Sequence, residues 1–353
     1  MKKNIVKEDI GNIIKGFGKE AKMLEGKTLL ISGGAGFIGS YILATIYELN
    51  NKYLSKPCRV ISIDNFITGR KRRILEEIKS DNFTFIEGDV TKPLDIKEKV
   101  DYIIHAAGLA SPVYYQKYPL ETIESAIYGV RNLLDLGKNK KIKSFLYFSS
   151  SEIYGDPDPN FIPTPETYRG NVSAIGPRAC YDESKRLGET ICMVFYDKFK
   201  APVKIVRPFN VYGPGMLPND YRVIPMFISS ALNGKSLPVH DKGNQTRTFC
   251  YISDAIIGFS KVLLSKKNGE VYNVGNDMNE VNMMKLAIIV SDLFKNKIEV
   301  KTVEYPSHYP QDEPKRRCPD LTKIRSNLGY KPNVDLKQGL SRVIKWYKDE
   351  YDL

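Results

Sequence analysis

From Lys27 onward, short apolar runs alternate with longer stretches in which apolar residues recur at helical spacing. The runs cover 28–32, 59–63, 83–86, 102–105, 144–148 and 203–206, and each is short and rich in β-branched or aromatic residues, which predicts strands. Strands alternating with helical stretches predict β-α-β units around a doubly wound parallel sheet with helices on both faces, an α/β fold. Beyond Asn210 the punctuation thickens through Pro214, Gly215, Pro218, Gly234, Pro238 and Gly243, which predicts a smaller, loop-rich region with helices over 254–265, 281–294 and 336–348. Ahead of the sheet, Ile10, Ile13, Ile14 and Phe17 fall on one helical face, although Gly11, Gly16 and Gly18 weaken that helix. The expected organisation is a helical appendage over 1–26, packed on the body or on a neighbouring subunit, a sheet domain over 27–210, and a second region over 211–353 interleaved with the first.

The first strand runs into Gly33-Gly34-Ala35-Gly36-Phe37-Ile38-Gly39 and then an apolar helix. Glycines at 33, 36 and 39 allow a tight turn, close approach of backbone to a pyrophosphate, and close helix–sheet packing, with the phosphates on the helix N-terminus. Strand, glycine turn, helix and a second strand ending at Asp64 together predict a Rossmann-type dinucleotide site. Asp64, with Asn65 beside it, is suited to accept hydrogen bonds from the adenosine ribose and to repel a 2′-phosphate, so NAD is expected over NADP. Asp89 and Val90 after the third strand suit the adenine, and Ala106 after the fourth suits the cleft wall; His105 reads as a packed strand-end residue.

The formal charge of +12 raises nucleic acid as a partner, but the basic residues are dispersed instead of forming a stripe, so no nucleic-acid partner is expected and the field serves to gather small anions. The longest basic cluster, Arg70 to Arg73, reads as a solvated helical turn. The five cysteines contain no C-x-x-C pair, and His105, His240 and His308 form no ligand cluster, so reduced thiols and no metal are expected. No apolar run reaches the roughly 18 to 20 residues that span a bilayer, and the charged N-terminus lacks a signal segment, so a cytoplasmic protein with no membrane partner is expected.

The densest candidate chemistry lies between Ser149 and Lys185. Ser149-Ser150-Ser151-Glu152 ends an apolar run, and Tyr181 and Lys185 follow one helical turn apart. A lysine at i+4 supplies a field that favours a phenolate, and a tyrosine lowered by about three units from its usual value of roughly 10 is a general base. Tyr196 and Lys200 repeat the spacing without an upstream serine cluster and beside Ala201-Pro202, where a helix ends.

These residues, with Ser151-Glu152-Ile153-Tyr154-Gly155-Asp156-Pro157, Gly176-Pro177-Arg178-Ala179-Cys180-Tyr181-Asp182-Glu183-Ser184-Lys185-Arg186, Arg207-Pro208-Phe209-Asn210 and Gln245-Thr246-Arg247, resemble the extended short-chain dehydrogenase/reductase family of nucleotide-sugar enzymes, in particular its UDP-glucuronate decarboxylase branch. The likeness runs from Lys27 to about Tyr347. It implies a cytoplasmic homodimer that binds NAD through Gly33, Gly36, Phe37, Ile38, Gly39, Asp64, Asn65, Asp89, Val90, Ala106, Tyr181 and Lys185, and takes a nucleotide-diphosphate sugar. Tyr181, Lys185 and Ser150 are the implied catalysts of oxidation at sugar C4. Ser151, Glu152 and Arg317 are the implied handlers of the sugar carboxylate and C5 proton, while Tyr115, Asn210, Arg247 and Arg317 are the implied sugar-nucleotide contacts. A 4-epimerase or 4,6-dehydratase would share the C4 oxidation, and a non-catalytic NAD-binding scaffold would not need Ser150, Tyr181 and Lys185 together. Glu121 and Glu124 stand where the decarboxylase branch commonly carries lysines, and their effect depends on whether they face the sugar.

Overall fold

The computed structural model describes residues 5–70, 78–278, 280–295, 297–305 and 314–351. Lys71, Arg72, Arg73 and His308 lie outside the described residues. In chain order the elements are α1 (Ile5–Phe17), β1 (Thr28–Ser32), α2 (Phe37–Lys52), β2 (Arg59–Asp64), β3 (Phe83–Glu87), β4 (Tyr102–His105), α3 (Pro112–Lys117), α4 (Pro119–Glu124), α5 (Val130–Lys140), β5 (Ser144–Phe148), α6 (Ala179–Phe199), β6 (Val203–Pro208) and β7 (Val211–Tyr212). The second half adds α7 (Val223–Leu232), β8 (Leu237–His240), β9 (Thr246–Arg247), β10 (Cys250–Tyr251), α8 (Ile252–Leu264), β11 (Glu270–Val274), β12 (Val281–Asn282), α9 (Met283–Leu293), β13 (Val300–Val303), β14 (Arg316–Arg317), α10 (Thr322–Leu328) and α11 (Leu336–Tyr351).

A seven-stranded parallel sheet in the order β11-β6-β5-β4-β1-β2-β3 forms the centre. Its inner strands are buried on both faces, as a parallel sheet between helical layers requires, and β5 is buried along its whole length. Strand order reverses between β1 and β4, so the crevice at their carboxyl ends is the expected ligand position of a doubly wound sheet. Six of the strands follow the apolar runs. The seventh, β11, comes from the stretch expected to be irregular. Its Tyr272, Asn273 and Val274 are fully buried, and it extends the sheet by pairing with β6, so the sheet draws on both halves of the chain.

The amphipathic reading of the N-terminus holds for α1, which buries Ile10, Ile13, Ile14 and Phe17. It packs on the body, against α8 and α2. Gly16, unfavourable for a helix in isolation, permits this approach, since a Cβ there would stand 2.5 Å from Ile257 Cδ1. Asp9 completes the anchor by accepting from Tyr251 Oη at 2.8 Å and Arg342 Nη2 at 2.8 Å. The 281–294 stretch divides into β12 and α9, with the Asn282 side chain capping the helix through Lys285 N at 2.7 Å. β9 pairs with β12 on one side and β14 on the other, setting Arg317 beside Arg247. All five thiols are free. No helix among the described residues is long and apolar enough to cross a membrane.

Candidate active site

The crevice beyond β1 and β4 is lined by Gly33, Gly36, Asp64, Asn65, Asp89, Val90 and Ala106, which brings together most of the dinucleotide set expected from sequence. Phe37 and Ile38 lie in the first turn of α2, where main-chain N–H groups lack helical acceptors, while their side chains pack on the core. The floor is backbone. A Cβ on Gly39 would stand 2.2 Å from Gly33 O, and Gly33 has a φ of 78° with Ala107 N only 2.6 Å from where its Cβ would lie. Asp64 is pinned at the end of β2 by Ala35 N and Phe66 N, both at 2.9 Å, and burial raises its carboxyl against those bonds. A bare glycine floor, a helix N-terminus and a fixed carboxylate at the second strand end fit a dinucleotide. Glu121 and Glu124 line this same cofactor crevice, with Ser125 and Leu109.

His105 is a packed strand-end residue, as expected. Its Nδ1 is 2.6 Å from Ser32 Oγ and its Nε2 is 3.0 Å from Ser125 O, and burial brings it down to about 3, leaving it neutral.

At the inner end of the crevice α6 carries Tyr181 and Lys185, both buried. Ser150 caps the short turn Ser151–Tyr154 by accepting from Glu152 N at 3.2 Å, and it hydrogen-bonds Tyr181. Burial acts on Tyr181 against the lowering expected from Lys185. Burial pushes Tyr181 up to about 12, against the Ser150 hydrogen bond, and brings Lys185 down to about 8. The ammonium donates to Phe148 O at 2.8 Å and lies 5.8 Å from the centre of the Tyr181 ring, so desolvation dominates. Tyr115 stacks on Tyr181, with ring centres 5.2 Å apart and planes at 18°, and its buried hydroxyl has no hydrogen-bond partner among the described residues. Tyr196 and Lys200 end α6, with Lys200 in the left-handed conformation at its C-cap.

Beside Tyr181 lies a buried charge cluster that joins distant parts of the chain. Glu152 takes Arg317 as a two-pronged partner and Arg178 as a second, while Arg178 also approaches Asp182 at 3.5 Å. Burial raises Glu152, but Arg178, Arg317 and Arg247 outweigh it and hold the carboxyl below its ordinary value. Asp182 goes the other way, pushed up to about 7 by burial and by Glu152 against Arg178 and Arg317. Ser151 is buried at the start of the Glu152 turn. Arg247 donates to Thr246 O at 2.9 Å, and Asn210, in the left-handed conformation after β6, donates to Thr248 O at 2.9 Å. Sequence reasoning quoted Arg178 and Asp182 within a motif but assigned them no role. Their i, i+4 spacing with opposite charge was the available signal.

A family model described as the NAD dependent epimerase/dehydratase family matches residues 29–275. UDP-glucuronic acid decarboxylase 5 of Arabidopsis thaliana is 42% identical over 312 residues, covering 88% of this chain and 86% of that protein. Among solved structures, the epimerase Mth375 of Methanothermobacter thermautotrophicus superposes with a TM-score of 0.82 at 26% identity, covering 95% of this chain and 97% of that one. The UDP-glucuronic acid 4-epimerase of Bacillus cereus, solved with UDP-glucuronic acid and NAD, does so with a TM-score of 0.75 at 27% identity, covering 91% and 99%. The chain belongs to the NAD dependent epimerase/dehydratase family.

Proposed function

We propose that this protein is an NAD-dependent UDP-glucuronate decarboxylase. The observation that carries the reading is the gathering of guanidinium groups next to Tyr181: Arg178 and Arg317 meet on the one carboxylate of Glu152, with Arg247 nearby. Guanidinium groups suit the two oxygens of a carboxylate, so a substrate that carries one fits beside them. The identity to decarboxylases across most of the chain supports the same substrate.

When bound, NAD+ supplies reversible hydride exchange at the sugar C4. Tyr181, hydrogen-bonded by Ser150, takes the C4 hydroxyl proton as a phenolate, which the Lys185 ammonium one turn away stabilises before the transfer. The resulting C4 ketone lies β to the C6 carboxylate. The C5–C6 bond then breaks, carbon dioxide leaves, and the electron pair moves onto the C4 oxygen, where the Tyr181 phenol, now carrying the proton taken from the C4 hydroxyl, donates a hydrogen bond to the enolate. Ser151, Glu152 and Arg317 handle the carboxylate and the C5 proton, and Tyr115 stacks alongside with its free hydroxyl toward the sugar. Asn210 and Arg247 hold the nucleotide diphosphate, whose oxygens match guanidinium geometry. Two copies associate through the outer face of α6, where Leu187, Val194 and Phe199 are exposed.

The test is incubation with UDP-glucuronate and NAD+, with headspace carbon dioxide followed by mass spectrometry and the product by proton NMR. Carbon dioxide with a UDP-pentose is expected, and Tyr181→Phe lowers the rate about 100- to 10,000-fold. The likeness to a UDP-glucuronic acid 4-epimerase makes C4 inversion the second reading. Retention of the carboxylate in a UDP-hexuronate epimer would overturn decarboxylation in its favour.

A further inference from the structure

The two arginines on Glu152 are held very differently. Arg178 belongs to the catalytic helix: its carbonyl accepts from Tyr181 N at 2.9 Å and Asp182 N at 3.0 Å, closing the first turn of α6, and its side chain approaches Asp182 at 3.5 Å. It is therefore tied twice to the element that carries Tyr181 and Lys185. Arg317 reaches Glu152 from the two-residue strand β14, which hydrogen-bonds only to β9 among the described strands, 165 residues away in sequence. A sugar carboxylate entering beside Tyr181 needs a guanidinium partner; Arg178 is also paired with Asp182, whereas Arg317 pairs with no carboxylate but Glu152 among the described residues, so Arg317 is the one placed to turn to the sugar.

We propose that Arg178 is a positioning residue: anchored by Asp182, it keeps Glu152 in place beside the sugar while Arg317 exchanges Glu152 for the substrate carboxylate. The residues that face Glu152 and set its charge are Arg178, Asp182 and Tyr181 on α6, Tyr115 on α3, Arg247 on β9 and Arg317 on β14. Ionised Glu152 keeps both guanidinium groups oriented before substrate arrives. Loss of Arg178 raises the Glu152 carboxyl, so the acidic limb of activity moves to higher pH.

This inference rests on the decarboxylase reading, and the experiment separates the two. Carbon dioxide release is measured across pH for wild type, Arg178→Gln, Arg178→Lys, Asp182→Asn and Arg317→Gln, with thermal melting of each. In Arg178→Gln, kcat falls about 10- to 100-fold, as expected of a displaced group near the reacting atoms, while KM stays within about threefold and the acidic limb shifts upward. Arg178→Lys keeps the charge but not the fork, so it restores the limb and leaves kcat between the two. Arg317→Gln shows the opposite split, with KM for UDP-glucuronate raised about tenfold or more. If Arg178→Gln does not fold, Arg178→Lys and Asp182→Asn, each with lowered kcat and nearly unchanged KM, carry the test. Wild-type kcat and an unmoved limb in folded Arg178 variants would overturn the inference and leave the decarboxylase standing. A wild-type protein that releases no carbon dioxide would overturn both.

Discussion

Two buried arginine–glutamate clusters lie along α6, and they differ in how many arginines share each carboxylate. In the first, Arg207 donates through Nε and Nη2 to the two oxygens of Glu189 at 2.9 and 2.7 Å, and through Nη1 to Tyr154 Oη at 2.7 Å and Glu166 O at 3.0 Å. One cation meets one anion, and neutral acceptors take up what remains of the fork. Tyr154 passes the chain on to Asn273 Oδ1 at 2.7 Å, and Asn273 donates to Thr164 O, so the cluster ties β6, β11 and the turn after β5 together. In the second, Glu152 serves two arginines with a third nearby, and the neighbouring Asp182 is pushed toward neutrality. The first cluster acts as a structural tie, whereas a carboxylate shared by two guanidinium groups is where the proposed exchange of partners would take place.

The contrast can be broken most sharply at Arg207. Arg207→Met strands Glu189 in the interior and is expected to cost about 3–5 kcal/mol of stability, measured by urea denaturation. Arg317→Gln leaves Glu152 with Arg178, so the same denaturation should register a smaller loss than Arg207→Met, even as affinity for UDP-glucuronate falls under the proposed reading. Equal losses in the two variants would erase the distinction.

The smallest effect is a slope. Asp182 has its carboxyl raised from 3.8 to about 7, so between those values the folded protein holds a proton that the unfolded chain has released. That contribution to stability is complete below the unfolded value and is lost as pH rises through the folded one. The stability of wild type minus that of Asp182→Asn should therefore fall as pH is raised from about 4 to about 7. Melting temperatures of the two proteins across that range check it, and parallel curves would remove Asp182 from the titrating cluster.

The same division separates the halves of the active site. The cofactor crevice was legible because it depends on backbone: a glycine turn between a strand and a helix, and an acid at the next strand end, lie close together in the chain. Gly33, Gly36, Asp64, Asp89 and Ala106 duly meet at the β1/β4 crevice. The sugar side was legible only in part. Glu152 and Arg317 came from resemblance, whereas Arg178, in plain view three residues before Tyr181, received no role because a lone arginine in a motif does not disclose what it touches. Sequence could not say whether Glu121 and Glu124 face the sugar, and the fold sets them in the crevice with Gly33, Asp64 and Asp89. β11 was missed because its surroundings are rich in turn signals, although its Val271, Tyr272 and Val274 carry the composition of a strand.

Periodicity and short motifs in the chain were enough to specify the doubly wound sheet, the amphipathic α1 and the dinucleotide turn, because backbone preference and helix or strand patterning act over a few residues. The balance of charge was settled only on folding. Whether Tyr181 is raised or lowered, whether Glu152 is held low beside a raised Asp182, and which carboxylate Arg207 and Arg317 each meet all depend on which groups lose water together. Desolvation and Coulomb energy follow distance in space, and Glu152 and Arg317 become neighbours only across 165 residues of folded chain.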